Sequence, residues 1–198
     1  MSWVVARVTD ATAEVLTTTD AKKHLRVEHT DDDAYIGSLS KGWRYYLEER
    51  TNHSFAPTTW DYLNDEWPDG SKPIEVPRGP VLSVTSVKYT TTTSTTAQTL
   101  AATAYVVDTK SEPGRIALKS GQAWPTNTLR DVNGVEVRYV GGMATSATGV
   151  LENVRSTLRL LVGSSYVNRE AVIVGSINTK LHLAAEALIS TFDARRYL

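Results

Sequence analysis

The residues that could do chemistry in this 198-residue chain are few and scattered. The densest group is the acidic run Asp31, Asp32 and Asp33, with His29 beside it, which suggests a site for a hard metal ion. Three consecutive acids at the start of a helix cannot all converge on one ion, and the positive end of the helix dipole explains them without a metal. The run therefore predicts a helix start rather than a metal site.

The other reactive residue types form no catalytic pattern. No two histidines have the i, i+4 spacing of a helical zinc motif, and no Gly-x-Ser-x-Gly elbow is present. We expect His24 and His182 at the edge of the core, and Gly141-Gly142 as a flexible exit from a strand rather than a phosphate loop. The chain has no cysteine, which excludes disulfides, thiolate metal sites and cysteine nucleophiles. The sequence predicts no catalytic residue, no metal and no cofactor, so we expect a protein that is not an enzyme.

The charge balance narrows the class of partner. Lysine and arginine number 21 and aspartate and glutamate 22, for a formal net charge of -1. A protein that grips nucleic acid is normally basic, so a balance of this kind fits at most a passive surface that DNA slides past. The apolar run from Met1 to Arg7 is too short for a signal peptide, and no segment is long enough to cross a bilayer. We expect synthesis in the cytoplasm and no membrane partner.

The apolar periodicity changes twice along the chain. It is helical from about Asp20 to Asn52 and from about Val150 to Leu198, whereas residues alternate between about Pro57 and Val140. This order predicts an α+β protein with a core of about four helices and an inserted antiparallel β-rich unit. The expected divisions are residues 1–56 and 143–198 for the two halves of the helical core and 57–142 for the insertion.

Local signals place the first two helices and several strands. Thr17 is expected to cap the first helix by accepting the amide of Asp20, and Thr30 is expected to open the second. The polar, β-branched run from Tyr89 to Gln98 predicts a long, exposed hairpin tip. Alternation of apolar with polar residues predicts strands on both sides of this run. The residues that alternate are Trp60 and Tyr62, Ile74 and Val76, Val87 and Tyr89, Tyr105 and Val107, Ile116 and Leu118, and Val135 to Tyr139.

Several exposed segments are candidates for contact with other molecules. Trp67 and Trp124 lie in loops or strand ends, where tryptophan either anchors a protein interface or stacks on a sugar. A polar hairpin is marginally stable alone and is a common way to reach a neighbouring subunit. The candidates for contact between subunits are Thr92, Thr93, Ser94, Thr95, Trp67, Trp124, Asn168, Arg169 and Glu170. The basic and aromatic C-terminus is either a frayed end or a docking peptide that orders on a partner.

Six segments in order resemble one known family. They are Leu16 to Val27, Asp31 to Ile36, Val84 to Tyr89, Tyr105 to Asp108, Glu112 to Ile116, and Leu161 to Ala171. The set resembles the head–tail connector proteins of long-tailed bacteriophages, also called portal adaptor or head completion proteins, in the version with a β-rich insertion. The chain departs from the family at residues 163–166, where the family tends to place a bulkier aromatic pair.

The resemblance implies a structural role in a virion. Such proteins form a ring, typically of twelve copies, that binds the portal protein in the neck, extends the DNA channel and offers a platform to the next neck or tail protein. The implied portal-docking residues are Asp193, Ala194, Arg195, Arg196, Tyr197 and Leu198. Packaged double-stranded DNA would pass in passive contact. The alternatives are another neck ring, such as a stopper or tail-completion protein, and a glycan-binding β module carried on helices.

Overall fold

Helices and strands occupy separate parts of the chain in the computed structural model, which describes residues 4–169 and 184–192. The α+β prediction is confirmed. The helices are α1 Thr18–Leu25, α2 Asp33–Thr51, α3 Glu152–Val167 and a short α4 at 184–189, and a 3-10 turn, Ala147–Gly149, precedes α3. The strands are β1 Val4–Thr9, β2 Thr58–Asn64, β3 Ile74–Val76, β4 Val81–Tyr89, β5 Gln98–Thr99, β6 Tyr105–Asp108, β7 Gly114–Leu118 and β8 Val135–Gly141.

The start of α1 follows the predicted capping pattern, whereas the start of α2 does not. The Thr17 hydroxyl accepts the backbone N–H of Asp20 at 3.1 Å, which satisfies one of the free amides of the first turn. The second helix begins at Asp33, with Asp32 as a cap residue that makes no side-chain capping bond. The acidic run therefore marks the helix start, as predicted, but α2 opens at Asp33 rather than after Thr30, and Asp33 is the one acid in its first turn. Both Asp32 and Asp33 also bond to distant side chains.

Two antiparallel sheets form the β-rich unit. The larger has the strand order β1-β2-β8-β4-β5 and the smaller the order β3-β7-β6. Their inner faces share one apolar cluster in which Trp60, Val137 and Tyr139 of the larger sheet pack with Ile74 and Ile116 of the smaller. The Tyr139 hydroxyl donates to the Pro77 carbonyl at 2.6 Å, so the one polar atom of this buried ring is satisfied.

The N-terminal residues belong to the larger sheet. Residues 1–56 were expected to form part of the helical half, but β1 pairs antiparallel with β2, with Val4 opposite Leu63 and Arg7 opposite Trp60. Arg7 interrupts the apolar run of this segment, and its charge finds partners only in the folded protein. The sequence around β1 therefore gives only a weak strand pattern, because the contacts that neutralise its one charged residue form on folding.

The threonine-rich segment connects the antiparallel strands β4 and β5, and its first residues are buried. Its return strand β5 has two residues, and Thr90 and Thr91 are buried. The backbone of this segment bonds to the loop at 128–134, through Thr90 N–H to the Gly134 carbonyl at 2.8 Å and Thr92 N–H to the Thr128 carbonyl at 3.1 Å. The predicted exposed hairpin tip is therefore present at residues 92–97, and the difference from the prediction is that the loop at 128–134 buries its base.

The helical core draws residues from both sides of the β-rich unit. Ile36 and Leu47 of α2 pack with Val154 and Leu158 of α3 in one buried cluster. Phe192 joins from the last described residues, its ring edge against Phe55 at a centroid distance of 5.7 Å. Two side chains that were predicted to face the helical core, His24 and Leu151, are exposed instead. His182 lies outside the described residues.

A buried arginine joins the helical core to the sheet. Arg44 of α2 has no solvent-exposed side-chain surface and donates to Glu14 at 2.7 Å and to Glu48, one turn further on, at 3.1 Å. Its second terminal nitrogen reaches Asp10, just beyond β1, at 3.0 Å. Glu48 in turn accepts Arg7 of β1 at 3.1 Å and the backbone N–H of Phe55, which leads into β2, at 3.0 Å.

The charges in this network compensate one another. Burial opposes ionisation of Asp10, but hydrogen bonds from Arg44 and Tyr45 outweigh it and hold the pKa of Asp10 well below its usual range. Burial likewise opposes the charge on Arg44, yet Glu14, Glu48 and Asp10 keep the Arg44 pKa above its ordinary value. Burial raises the pKa of Glu48 against the opposing effect of Arg44. Removing one member of such a buried network leaves another charge without a partner, which lowers the stability of the fold.

The Arg44→Met substitution tests the network. It leaves Glu48 buried without its main counter-charge, so the free energy of unfolding should fall by about 3–5 kcal/mol in a urea titration. Lys41→Met is the matched control, because Lys41 also faces Asp10, at 3.5 Å, from a side chain that is half exposed. The control should change stability little. Equal losses in the two variants would contradict a structural role for Arg44.

Candidate assembly surfaces

A cluster at the C-terminal end of α3 holds one of the predicted contact segments. Arg169 donates to Asp32 at 3.2 Å and lies over the rings of Tyr35 and Tyr166, at 4.8 and 5.6 Å from their centroids. The Tyr166 hydroxyl donates to Asp32 at 2.5 Å. These contacts within the chain fix the end of α3 against the start of α2.

The two neighbours of Arg169 differ in what the structure describes. The side chain of Asn168 donates to the Ser164 carbonyl at 3.1 Å and is exposed, which satisfies one of the free carbonyls at the helix end. Glu170 lies outside the described residues, as do the predicted portal-docking residues 193–198.

The electrostatics of the cluster centre on Asp32. The Tyr166 hydrogen bond lowers the pKa of Asp32, partial burial opposes this, and Arg169 adds to the lowering. The same hydrogen bond raises the pKa of Tyr166. The carboxylate of Asp32 is therefore ionised at neutral pH and organises both aromatic rings and the arginine around it.

The predicted tryptophan pair forms a packed stack rather than an open platform. The rings of Trp67 and Trp124 are 4.8 Å apart and 9° from parallel. Tyr89 approaches Trp67 at 5.8 Å with a tilt of 59°, and Trp124 is 6% exposed. One face of each indole ring is thus covered by the other. Within residues 4–169 and 184–192, neither indole N–H has a hydrogen-bond partner.

The threonine tip lies at the same end of the sheet as this stack. Thr92, Thr93 and Thr95 are exposed and Ser94 is half-buried. The Thr91 and Thr93 hydroxyls lie 3.2 Å apart. The tip carries no charge, so any contact it makes with a neighbour would be through backbone and hydroxyl hydrogen bonds.

One buried histidine makes a polar contact that the sequence did not reveal. His53, at the end of α2, is 4% exposed, and its Nε2 lies 2.6 Å from Glu112 Oε1. This contact joins the helical core to the turn between β6 and β7. The contact holds two parts of the fold together. Among the described residues, no group of three or more histidine, aspartate or glutamate side chains could hold a metal ion.

Apolar side chains are exposed on the strand at the edge of the larger sheet. Val4 and Val8 of β1 are 51% and 44% exposed, and Ala6 between them is exposed as well. This surface was not among the sequence-based candidates. The alternation of Val4, Ala6 and Val8 was the available signal, although Arg7 and the short length of the run obscured it.

Acid titration distinguishes Asp32 from its neighbour Asp31. Because the folded-state pKa of Asp32 lies below its ordinary value of 3.8, its carboxylate stabilises the fold above that pH, and the contribution disappears as the pH falls through the folded-state pKa. The melting temperature should therefore fall less steeply in Asp32→Asn than in the wild type between about pH 5 and about pH 3.

Asp31→Asn is the matched control for this titration. Asp31 is exposed and makes no hydrogen bond or ion pair within the described part of the chain. This variant should follow the wild-type curve. If Asp32→Asn also ran parallel to the wild type, Asp32 would not organise the cluster.

Solved structures with the same fold come from virus-like particles. The chain is similar to a protein in the neck of an empty GTA particle computed with C6 symmetry, with a TM-score of 0.77 and 18% identity over 96% of this chain and 94% of that one. A protein in the neck of the native GTA particle, computed with C12 symmetry, gives a TM-score of 0.76 with the same identity and coverage.

A third similar structure is the virion of the native gene transfer agent (GTA) particle, with a TM-score of 0.75. At 18% identity these likenesses show the fold. A comparison with functionally curated proteins finds no match.

The sequence itself matches one family model. Residues 16–112, which run from the loop before α1 to the turn before β7, match the model of the phage gp6-like head-tail connector protein. This agrees with the resemblance carried by the segments from Leu16 onward. Over residues 16–112 the chain is thus similar to the family of phage head-tail connector proteins.

Proposed function

We propose that this chain is a structural protein of the virion neck that acts as a head–tail adaptor. Copies form a ring at the portal vertex, extend the DNA channel and provide the platform for neck and tail attachment. One observation carries the proposal: the fold of almost the whole chain matches proteins from the necks of GTA particles. The C6 and C12 symmetries of those necks support a ring.

The physical properties of the chain suit such a ring. A net charge of -1 avoids strong counterion-releasing contacts with phosphates, so DNA can pass without being gripped. None of the helices within residues 4–169 and 184–192 is long and apolar enough to cross a membrane. Its described polar clusters serve packing and charge compensation, which fits a scaffold better than an enzyme.

The proposed partners divide between the two ends of the ring. The segment from Asp193 to Leu198 docks into the portal protein, and a stopper or tail-completion protein binds on the tailward side. Neighbouring copies meet within the ring. The exposed tip residues Thr92, Thr93 and Thr95 are candidates for contact with another chain.

Two alternatives remain as outcomes of experiment. Another neck ring, such as a stopper, would share the fold class and differ in its position. A glycan-binding module would need an open aromatic face, and the stack of Trp67 on Trp124 with Tyr89 alongside gives it little support.

Removal of the C-terminal segment tests the adaptor role. A variant ending at Phe192 should bind purified portal protein at least roughly tenfold more weakly, a change of about 1.4 kcal/mol in binding free energy. Its melting temperature should match the wild type. Affinity is measured by surface plasmon resonance on immobilised portal.

A variant with residues 193–198 in reversed order is the control, since it keeps length and charge. It should also bind weakly if recognition depends on sequence. Full binding by the truncated variant would remove this segment from the interface. Absence of portal binding by the wild type, together with binding to a stopper or tail-completion ring, would move the chain further down the neck.

A further inference from the structure

The larger sheet ends at β1, whose outer side pairs with no strand in residues 4–169 and 184–192. No backbone hydrogen bond joins β1 to any described residue on the side away from β2. Such an edge is a ready template for a strand from another chain. Proteins that must keep an edge free usually place charges or proline along it. On β1, the residues of the outer sheet face are instead Val4 and Ala6, and the one charged residue, Arg7, bonds to Asp10 and Glu48.

The opposite side of the same sheet is also largely open. The short β5 pairs only with Lys88 and Tyr89 at the end of β4. Leu100 N–H then bonds to the Val87 carbonyl, and within the described ranges residues 82–86 make no backbone hydrogen bond on the side away from β8. The outward side chains here are Ser83, exposed, and Ser86, half-buried. This edge, too, carries no charge where it is open.

The two open edges run in opposite directions. Each step along β1-β2-β8-β4 is antiparallel, so three steps leave β1 antiparallel to β4. A head-to-tail ring places the β1 side of one copy beside the β4 side of the next in nearly the same orientation. The two strands would therefore meet as an antiparallel pair, the arrangement that fills both edges.

Irregularities in the sheet are confined to the same two strands. The extra, unpaired residues are Val8 on β1 and Leu82 and Thr85 on β4, whereas the β2–β8 ladder is regular. Bulges are concentrated at sheet edges and bend the strand that carries them. They leave Val4 to Arg7 on β1 as a regular stretch, and Ser83 to Val84 and Ser86 to Tyr89 on β4. The pair Lys88 and Tyr89 is covered by β5, so the residues before it set the length of contact between copies.

We infer that copies of this chain join edge to edge, with β1 of one copy pairing antiparallel with β4 of the next and continuing the larger sheet around the ring. The inference rests on the proposed ring function and specifies its contact between subunits. A second copy fits better than a strand from another protein, because each copy offers both uncharged edges. Ring closure then leaves neither edge unpaired.

Disulfide trapping tests this contact directly, because the chain has no cysteine of its own. If neighbouring copies lie at the same height, Ala6 faces Ser86 and Thr9 faces Ser83. Within one chain these pairs lie three strands apart, roughly 14 Å at about 4.8 Å per strand. This is too far for a disulfide, which needs Cα atoms within about 7 Å. Any disulfide in Ala6→Cys/Ser86→Cys or in Thr9→Cys/Ser83→Cys therefore joins two copies.

The variants are incorporated into particles, oxidised and separated on a non-reducing denaturing gel. A ladder of covalent oligomers beyond the dimer is expected from at least one pair, since each copy bonds to two neighbours. The matched controls Ala6→Cys and Ser86→Cys alone should give no ladder beyond the dimer. Mass spectrometry of the same particles confirms that the chain is present.

Hydrogen–deuterium exchange of the wild-type protein gives a second measurement that needs no substitution. The amides of β1 should exchange at least about tenfold more slowly in particles than in the free chain. Particles that contain the chain but show neither a ladder nor slower β1 exchange would overturn the edge contact and leave the neck function standing. Particles that lack the chain would overturn both.

Discussion

The charge of Arg44 is the constraint on which the rest of the structure depends. Its guanidinium is fully buried, so its counter-charges must come from the protein itself. They come from Asp10 after β1, Glu14 in the following loop and Glu48 of α2. Glu48 then holds Arg7 and the Phe55 amide. The position of the helical core relative to the larger sheet is thereby fixed by hydrogen bonds that are directional and shielded from water.

A rigid joint of this kind suits a part that is built into a larger assembly. A second contact, between His53 and Glu112, connects the smaller sheet to the C-terminal end of α2. With both sheets held against the helical core, the edges of the larger sheet keep a defined direction relative to the helices. Subunits with such fixed faces can repeat around an axis without large rearrangement, and what remains for assembly is pairing and docking at their surfaces.

The sequence predicted the elements whose signals are local. The spacing of apolar residues located α1, α2 and α3, and alternation located β2, β3, β4, β6, β7 and β8. It missed what depends on distant partners. The strand β1 contains Arg7, whose charge is matched by Glu48 far along the chain. At the start of α2, Asp32 and Asp33 also bond to the distant residues Tyr166 and Lys22.

The candidate contact residues show the same contrast between features with a local sequence signal and contacts that form only on folding. The sequence marked Arg169, the threonine tip and the two tryptophans as candidates for contact with other molecules. The structure adds contacts within the chain, from Arg169 to Asp32 and Tyr35 and between the two tryptophan rings. The open edges of the larger sheet could not be read from periodicity. Whether a strand lies at an edge is a property of topology, and the order of the strands emerges only on folding.

The central claim is that this chain forms a ring in the virion neck directly below the portal. Cryo-electron microscopy of the neck in intact particles tests it most directly. We expect a ring of density under the portal that fits the helical core and both sheets, with residues 193–198 in contact with the portal. A particle neck without this chain, or with it in a ring separated from the portal by another protein, would contradict the account.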